Sequence, residues 1–407
     1  KFFVMNLKLF KLIHTERTYK RYYGQALPMD NFLCRTFYET KSYINLFLSA
    51  AYLPFNKKYN TQQFPGERKS KFRMLIENIT WTLKYKEVCQ YYFLFGLDLK
   101  QRKMEDYVAY TEFRVLRNIL NIRQRETKKT AYTFNYLALT RDKFVFGQYA
   151  KSLGFPVPET IAFISGKKIS WVDSVGTFSD IEDLKSKNIS GFCKECTGEG
   201  GKGSFILDVK DEKIFINNKE ASIEELLDHV KDATYIIQRK ITNHPIISNI
   251  YPNSVNTIRI VTVCKDNDIY IYDARLRTGA NGSVVDNACF GGVVIGIKPS
   301  GTLTDWGYVE PGKTNNPNLV IKELHPDTKF NFTDIQIPYW DELIDMVKRF
   351  HGYYYGIPSI GWDVAITPDG PIILECGEDW EIQGTQIFFG GRRNDFYDLH
   401  SDALKIK

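Results

Sequence analysis

The chain has 407 residues, 43% apolar and 25% charged, enough for two or three domains with their own cores and too balanced for a disordered or fibrous protein. Seven cysteines, an odd number without a small secreted framework, exclude a disulfide scaffold and fit reduced thiols in a cytosolic compartment. The net charge of +6 hides an asymmetry: residues 1–130 carry 25 Lys+Arg against 11 Asp+Glu, so that part faces something anionic, neutralises the acidic remainder, or is simply solvated.

Taken in chain order, residues 1–130 read as a mostly helical, basic and aromatic region. Its opening, KFFVMNLKLFKL, is interrupted by Lys8 and Lys11 and lacks a small-residue cleavage site, so it does not read as a signal peptide. No window approaches the ~20 apolar residues of a membrane helix. The segments Ser70 to Tyr92 and Met104 to Arg125 place apolar residues three and four apart, with an exposed loop from Lys57-Lys58 to Pro65-Gly66 before them. Residues 131–190 form a linking segment. There an amphipathic helix starts at Thr140-Arg141-Asp142-Lys143 with Thr140 as its cap, and a strand follows at Thr160–Ile164.

From 191 the pattern is strand-rich. Expected strands are Gly191–Cys193, Ser204–Val209, Lys213–Ile216 and Tyr235–Gln238, then Thr257–Cys264, Ile269–Leu276 and Gly292–Ile297. Helices are expected at Ile223 to Val230 and Tyr339 to His351. The fold class is α+β with antiparallel sheets.

Three stretches carry chemistry. TGEGGKGS, residues 197–204, contains Gly198, Gly200, Gly201 and Gly203, whose backbone amides can turn toward an anion, while Lys202 and Lys194 add charge. It reads as a flap over phosphates or as a flexible hairpin tip, and matches neither the P-loop nor the dinucleotide fingerprint. In residues 254–277, Asn256 and Arg259 lie on one strand. The next places Ile269, Ile271, Asp273, Arg275 and Arg277 on one face. These arginine forks suit carboxylate or phosphate oxygens, or Asp273 and Arg275 form a surface ladder. Loops at Asn281-Gly282, Asp286-Asn287 and Gly291-Gly292 lie near the same sheet.

The third stretch is GWDVAITPDGPIILECGEDW, residues 361–380, a hairpin turning at Thr367-Pro368-Asp369-Gly370. Its simplest register sets Asp363 opposite Leu374; one bulged residue sets it opposite Glu375. Two acids within apolar strands repel unless a cation lies between them, and oxygen ligands with a nucleotide partner make that cation Mg²⁺. The six histidines (His14, His229, His244, His325, His351, His400) show no triad or metal spacing. Cys193 and Cys196 form a lone CxxC, read as buried thiols rather than a zinc site.

In this order the motifs resemble the ATP-grasp fold. NTIRIVT, VDNACFGG and GWDVAITPDGPIILECGEDW, with FGLDLKQRKMEDYV upstream, resemble the sugar-transfer-associated ATP-grasp family of bacterial polysaccharide gene clusters, over roughly residues 85–390. The glutamate ligase-related proteins are similar. The resemblance implies two α+β subdomains clasping ATP: a lid at 191–240 and a C-terminal subdomain at 241–407. It implies that Lys143 and Lys194 touch phosphates, that the Gly-rich loop covers them, and that Gln238, Lys240 and Ile241 hold adenine. Asp363 and Glu375 would bind Mg²⁺. Arg259, Arg277, Asn256 and Arg275 would line the reacting groups, and Asp273, Asp286 and Asn287 the substrate. The family's Glu-x-Asn is here Glu375-Cys376-Gly377, so water, Glu378 or Asp379 would stand in for the missing ligand.

The implied activity is an ATP-dependent carboxylate–amine ligase working through an acyl phosphate on a surface glycan or its precursor. Its partners would be a carboxylate and an amine, with a lipid-linked carrier at the inner membrane face and no nucleic acid. A phosphotransferase, a peptide-modifying ligase and a non-catalytic ATP-binding scaffold are the alternatives.

Overall fold

The computed structural model describes residues 32–56, 64–125, 138–172, 177–198, 201, 203–230, 233–313, 319–354 and 357–401. The expectations for the opening segment with His14, for the loop starting at Lys57-Lys58, and for Gly200 and Lys202 lie outside these residues. The chain forms two compact units, one comprising described residues 32–120, 319–320 and 381–401, the other 121–313 and 321–380. The sequence-drawn boundaries at 130, 190 and 240 do not show the return of residues 381–401 to the first unit.

The first unit opens with helices α1 (Phe32–Tyr52), α2 (Lys71–Tyr85) and α3 (Tyr110–Arg125). Ser70 caps α2 by accepting from the Arg73 amide at 3.2 Å. The expected helix to Tyr92 stops seven residues early because Lys86 adopts the left-handed conformation that closes a helix. Beyond it the half-buried Glu87 carboxylate organises the chain. It accepts from the Trp81 indole at 3.1 Å, from the Tyr110 and Thr111 amides at 3.0 and 2.6 Å, and from the Thr111 hydroxyl at 2.6 Å. Two of these donors are the otherwise unpaired first amides of α3.

The second unit begins with two short helices, α4 (Ala138–Arg141) and α5 (Lys143–Ser152). Thr140 is not the cap of α5; Asp142 is, accepting from the Phe144 and Val145 amides at 2.9 and 3.0 Å. An eight-stranded antiparallel sheet follows, made of β1 (Thr160–Ser165), β2 (Lys168–Trp171), β3 (Ser179–Asp180), β4 (Ile189–Glu195), β5 (Phe205–Lys210), β6 (Lys213–Ile216), β7 (Lys219–Ala221) and β8 (Thr234–Arg239). Its strand order is β3-β2-β1-β8-β4-β5-β6-β7. Helix α6 (Ile223–Val230) buries Ile223, Leu226 and Val230, spaced three and four apart, in its core.

The second sheet contains β9 (Thr257–Lys265), β10 (Asp268–Thr278), β11 (Val293–Ile297), β12 (Leu303–Val309), β13 (Val320–Lys322), β14 (Ser359–Thr367) and β15 (Gly370–Gly377), in the order β13-β12-β11-β10-β9-β14-β15. Helix α7 (Pro245–Ile250), preceding it, was not evident from the sequence; His244 caps it and Pro245 sits in its first turn. Helix α8 (Trp340–His351) lays Leu343, Val347 and Phe350 on the sheet against Trp362, with Phe350 stacked on Phe155 at 4.2 Å.

Helices α9 (Ile382–Phe389) and α10 (Arg393–Leu399) belong to the first unit. Arg393 is their anchor: its guanidinium donates to both Glu112 carboxylate oxygens at 2.5 and 2.7 Å, to the Tyr85 hydroxyl at 2.7 Å and to the Tyr107 carbonyl at 2.7 Å. Among the described residues no helix is long and apolar enough to cross a membrane.

Candidate active site

Register across β10, β9, β14 and β15 sorts the second sheet into an apolar and a polar face. Cross-strand partners share a face, so Ile258, Ile260 and Thr262 of β9 lie with Ala274 and Leu276 of β10, Trp362 and Val364 of β14, and Ile373 and Cys376 of β15. That face is the core under α8. The opposite face carries Thr257 and Arg259, Asp273, Arg275 and Arg277, then Asp363 and Glu375.

Two bulges set this arrangement. Asp363 pairs with Glu375 while Val364 pairs with Ile373, so Leu374 is the extra residue that brings the carboxylates opposite each other. A second shift between Ile271 and Asp273 leaves Tyr272 over. It puts Ile271 on the core side with Ala274, so Ile269 and Ile271 do not share a face with Asp273, Arg275 and Arg277. Plain alternation misplaces them because it carries no bulge.

Asp363 is the hub. Arg259 donates to it from Nε at 2.5 Å and from Nη2 at 3.0 Å, and Arg277 Nη2 lies 2.8 Å from its second oxygen. Burial opposes its charge, yet the two guanidiniums hold its pKa well below the usual carboxylate range. Glu375 goes the other way: burial and the neighbouring Asp363 charge raise its pKa. Two lysines face Glu375. Lys143 Nζ lies 3.9 Å from it and donates to the Gly198 carbonyl. Lys194, buried on β4, reaches the Leu374 carbonyl at 3.5 Å, and burial pushes its pKa down to about 8 against the pull of Glu375. The flanking loop glycines Gly201 and Gly203 have φ of +73° and +75°, the left-handed region that a backbone turned toward an anion uses.

Arg277 is oriented by two further groups. The Thr257 hydroxyl accepts from it at 2.7 Å and donates to Asp286, whose Oδ2 also accepts from the Thr257 amide at 3.0 Å and lies 3.7 Å from Arg277 Nε. Burial raises the Asp286 pKa. Thr257 was not singled out in the sequence; its only signal there was its place at the head of the Arg259 strand.

Other expected residues sit elsewhere. Asp273 and Arg275 pair with each other at 2.6 Å and are both buried, an internal pair rather than a surface ladder. Asn287 caps a 3-10 turn at Ala288–Phe290 by accepting from the Cys289 amide at 2.9 Å. Asn256 is wholly buried: its Nδ2 donates to the Ile247 and Tyr251 carbonyls at 3.1 and 2.7 Å, and its Oδ1 accepts from the Ser254 hydroxyl at 2.8 Å. These bonds give Asn256 a folding role instead of the catalytic one. Asn256→Ala is expected to lower stability by about 2–4 kcal/mol, read from the urea midpoint. Unchanged stability with lost ligand affinity would return Asn256 to the chemistry.

At the end of β8, which runs between β1 and β4, Gln238 is buried and Lys240 donates to Asp208 at 2.7 and 3.0 Å, with the Ser190 hydroxyl on the same carboxylate at 2.5 Å. The Lys240 side chain is thus tied to β5.

Among the described residues no three His, Cys, Asp or Glu side chains cluster as a metal cage. Glu378 does not replace the third ligand: it is buried, accepting from the Thr140 hydroxyl and Arg141 Nε, both at 2.9 Å. Asp379 lies 3.8 Å from the same guanidinium. What remains, two opposed carboxylates beside two lysines, fits a Mg²⁺ that keeps most of its other positions for water and phosphate oxygens.

A family described as sugar-transfer-associated ATP-grasp matches residues 123–392. No curated protein matches the chain. Among solved structures it is similar to D-alanine–D-alanine ligase from Helicobacter pylori, at 12% identity over 66% of this chain and 62% of that one, TM-score 0.37. It is also similar to an L-amino acid ligase from Bacillus licheniformis (12% identity, 63% of this chain and 44% of that one, TM-score 0.33). A third is N5-carboxyaminoimidazole synthase from Aspergillus clavatus (9% identity, 74% of this chain and 65% of that one, TM-score 0.37). The chain spans less than two thirds of the length of each of these structures.

Proposed function

The chain belongs to the sugar-transfer-associated ATP-grasp family, and from that premise we propose that it is an ATP- and Mg²⁺-dependent carboxylate–amine ligase acting on a surface glycan or its precursor. The observation that carries this reading is the polar face on which Arg259 and Arg277 converge on Asp363 while Lys143 and Lys194 face Glu375. Two arginines and two carboxylates on one sheet face, with Lys143 from α5 and Lys194 from β4 turned toward Glu375, suit a polyphosphate brought with a divalent cation.

In the proposed reaction a substrate carboxylate oxygen attacks the γ-phosphorus of ATP and ADP leaves, giving an acyl phosphate. An amine then attacks the acyl carbon, inorganic phosphate leaves, and the amine gives up a proton as the amide forms. Lys143 and Lys194 hold phosphate oxygens as point charges. Arg277, held by Thr257 and Asp286, and Arg259 would neutralise the phosphoryl group in transfer, an electrostatic task that needs no nucleophilic side chain. Asp363 and Glu375 would hold Mg²⁺, which when bound neutralises phosphate charge and orients the triphosphate. The loop around Gly198, Gly201 and Gly203 would exclude water from the acyl phosphate.

The test is an ADP-release screen against pooled amino acids, sugar acids and amino sugars, with mass spectrometry of the products. ADP formed only when a carboxylate and an amine are both present supports the ligase. ADP formed with a single phosphorylated product makes it a phosphotransferase, and a modified peptide as the product shifts the acceptor class. The basic helical region is proposed to meet a lipid-linked glycan carrier at the inner face of a membrane. Its test is sedimentation with vesicles carrying anionic lipid, against neutral vesicles and against RNA.

A variant probes the missing ligand. Gly377 is not in the left-handed region, and a Cβ there would meet only the Asp379 amide nitrogen at 3.7 Å, an ordinary contact. Its register places it on the face of Glu375. Gly377→Asn is therefore expected to fold and to tighten Mg²⁺ in the nucleotide complex roughly fivefold, about one hydrogen bond's worth. Calorimetry showing unchanged or weaker Mg²⁺ binding would place the cation away from β15.

A further inference from the structure

We propose that Glu378 is a positioning residue that sets Lys143 against the carboxylate pair, an inference that rests on the nucleotide reading above. Lys143 opens α5 directly after the four-residue helix α4, and a single turn of helix does not hold itself. Something outside α4 must fix the residues leading into Lys143. The Lys143 amide donates to the Cys196 carbonyl at 2.9 Å, which sets its backbone beside the Gly-rich loop. At the start of α4, Leu139 packs on the core and its carbonyl accepts from the Tyr354 hydroxyl at 3.5 Å, and nearer Lys143 Glu378 supplies the polar grip. Its buried carboxylate grips α4 through both oxygens: Oε2 accepts from the Thr140 hydroxyl at 2.9 Å, and Oε1 from Arg141 Nε at 2.9 Å and from Arg141 Nη2.

Glu378 leaves β15 three residues after Glu375. One short stretch of chain therefore carries the carboxylate that faces Lys143 and the carboxylate that holds the segment delivering Lys143. The 3.9 Å separation of Lys143 Nζ and Glu375 depends on both ends of that stretch. If Glu378 releases α4, Lys143 loses its lateral support while its backbone bond to Cys196 remains, and the ammonium samples positions off the phosphate site. Charge-assisted, two-pronged bonds from a buried carboxylate are the kind that fix geometry. Arg141 is 42% exposed on its side chain, so the clamp can be cut from its outer end without opening the core.

The experiment uses the full chain and two single variants, Glu378→Gln and Arg141→Ala, with Lys143→Met and the Glu378→Gln/Lys143→Met double variant. Binding of a fluorescent ATP analogue with Mg²⁺ is expected to weaken about tenfold in each clamp variant. The double variant should be no weaker than Lys143→Met alone, because both changes remove the same contact. Losses that multiply in the double variant, or full affinity in Arg141→Ala, would overturn the proposal.

A second readout separates this from failure of the nucleotide reading. In nucleotide-free protein, acetylation of Lys143 followed by mass spectrometry should speed up severalfold in Glu378→Gln and Arg141→Ala, with Lys194 unchanged. No change at Lys143, or an equal rise at both lysines, would show that Glu378 only supports the fold. If the wild-type chain binds no nucleotide, the ligase reading falls while the acetylation result still decides what Glu378 does.

Discussion

Replacing Asp363 with alanine is expected to reduce Mg²⁺-dependent ADP release by about a thousandfold or more. Three guanidinium nitrogens, Arg259 Nε and Nη2 and Arg277 Nη2, lie 2.5–3.0 Å from this one carboxylate. Removing it strips the proposed cation of one of its two carboxylates and releases both arginines from the carboxylate that orients them. Asp363→Asn separates the two effects, since the amide keeps the shape, loses the charge and turns hydrogen-bond donors toward the guanidiniums. We expect Asn to be nearly as damaging as Ala. ADP release within tenfold of wild type in Asp363→Ala would remove the carboxylate pair from the mechanism. A pH series gives an independent reading. The folded-state pKa of Asp363 is depressed, so its contribution to stability is fully present above the unfolded value of about 4 and is lost as pH falls through the folded value. Wild type and Asp363→Ala should therefore differ by a constant amount above about pH 4 and converge in stability as pH falls below it.

Lys194→Met is expected to raise the melting temperature of the nucleotide-free protein while abolishing tight nucleotide binding. Lys194 is 8% exposed, and burial brings its pKa from the ordinary 10.5 to about 8. The unfolded chain therefore holds more protons than the folded one between about pH 8 and 10.5. Burying this ammonium opposes folding in full below pH 8, and that opposition is relieved as pH rises through the window. At pH 7 the penalty is roughly 3 kcal/mol by the size of the shift, which already includes the pull of Glu375. Relief of a few kcal/mol moves the melting point by several degrees. In function the sign reverses: only the protonated amine attracts phosphate, so nucleotide affinity should decline as pH climbs past about 8, whereas Lys194→Arg should bind without that decline. Calorimetry of both variants from pH 6 to 10 measures the two effects together. A lower melting point for Lys194→Met at pH 7, or affinity flat across pH 8 in wild type, would contradict this account.

Much of this site was legible because it is built on local pattern. The turn residues Thr367 to Gly370 and the apolar runs on either side announced the hairpin, and Asp363 and Glu375 stood out as the acids inside it. What the pattern could not supply was register. Whether Asp363 meets Leu374 or Glu375 depends on one bulged residue, and the face of Ile271 depends on another at Tyr272; alternation is blind to both. Residue type also misled where the surroundings decide the role. Asn256 and Thr140 look like a catalytic amide and a helix cap, but one satisfies backbone carbonyls in the core and the other bonds a carboxylate 238 residues away. Glu378 was visible as a stand-in ligand only. Its grip on Arg141 spans 237 residues, and no local periodicity reports a contact at that distance.

The return of residues 381–401 to the helical unit has a consequence for synthesis. Helices α2 and α3 leave the ribosome long before Arg393, which ties Glu112 and Tyr85 together, has been translated. At about 5–20 residues per second the wait is tens of seconds, during which the inserted ATP-grasp unit can fold while the helices that flank it remain unfinished. A nascent chain stalled before Arg393 should consequently display protease-sensitive helices beside a resistant sheet unit, and such half-made chains would be natural clients for a chaperone.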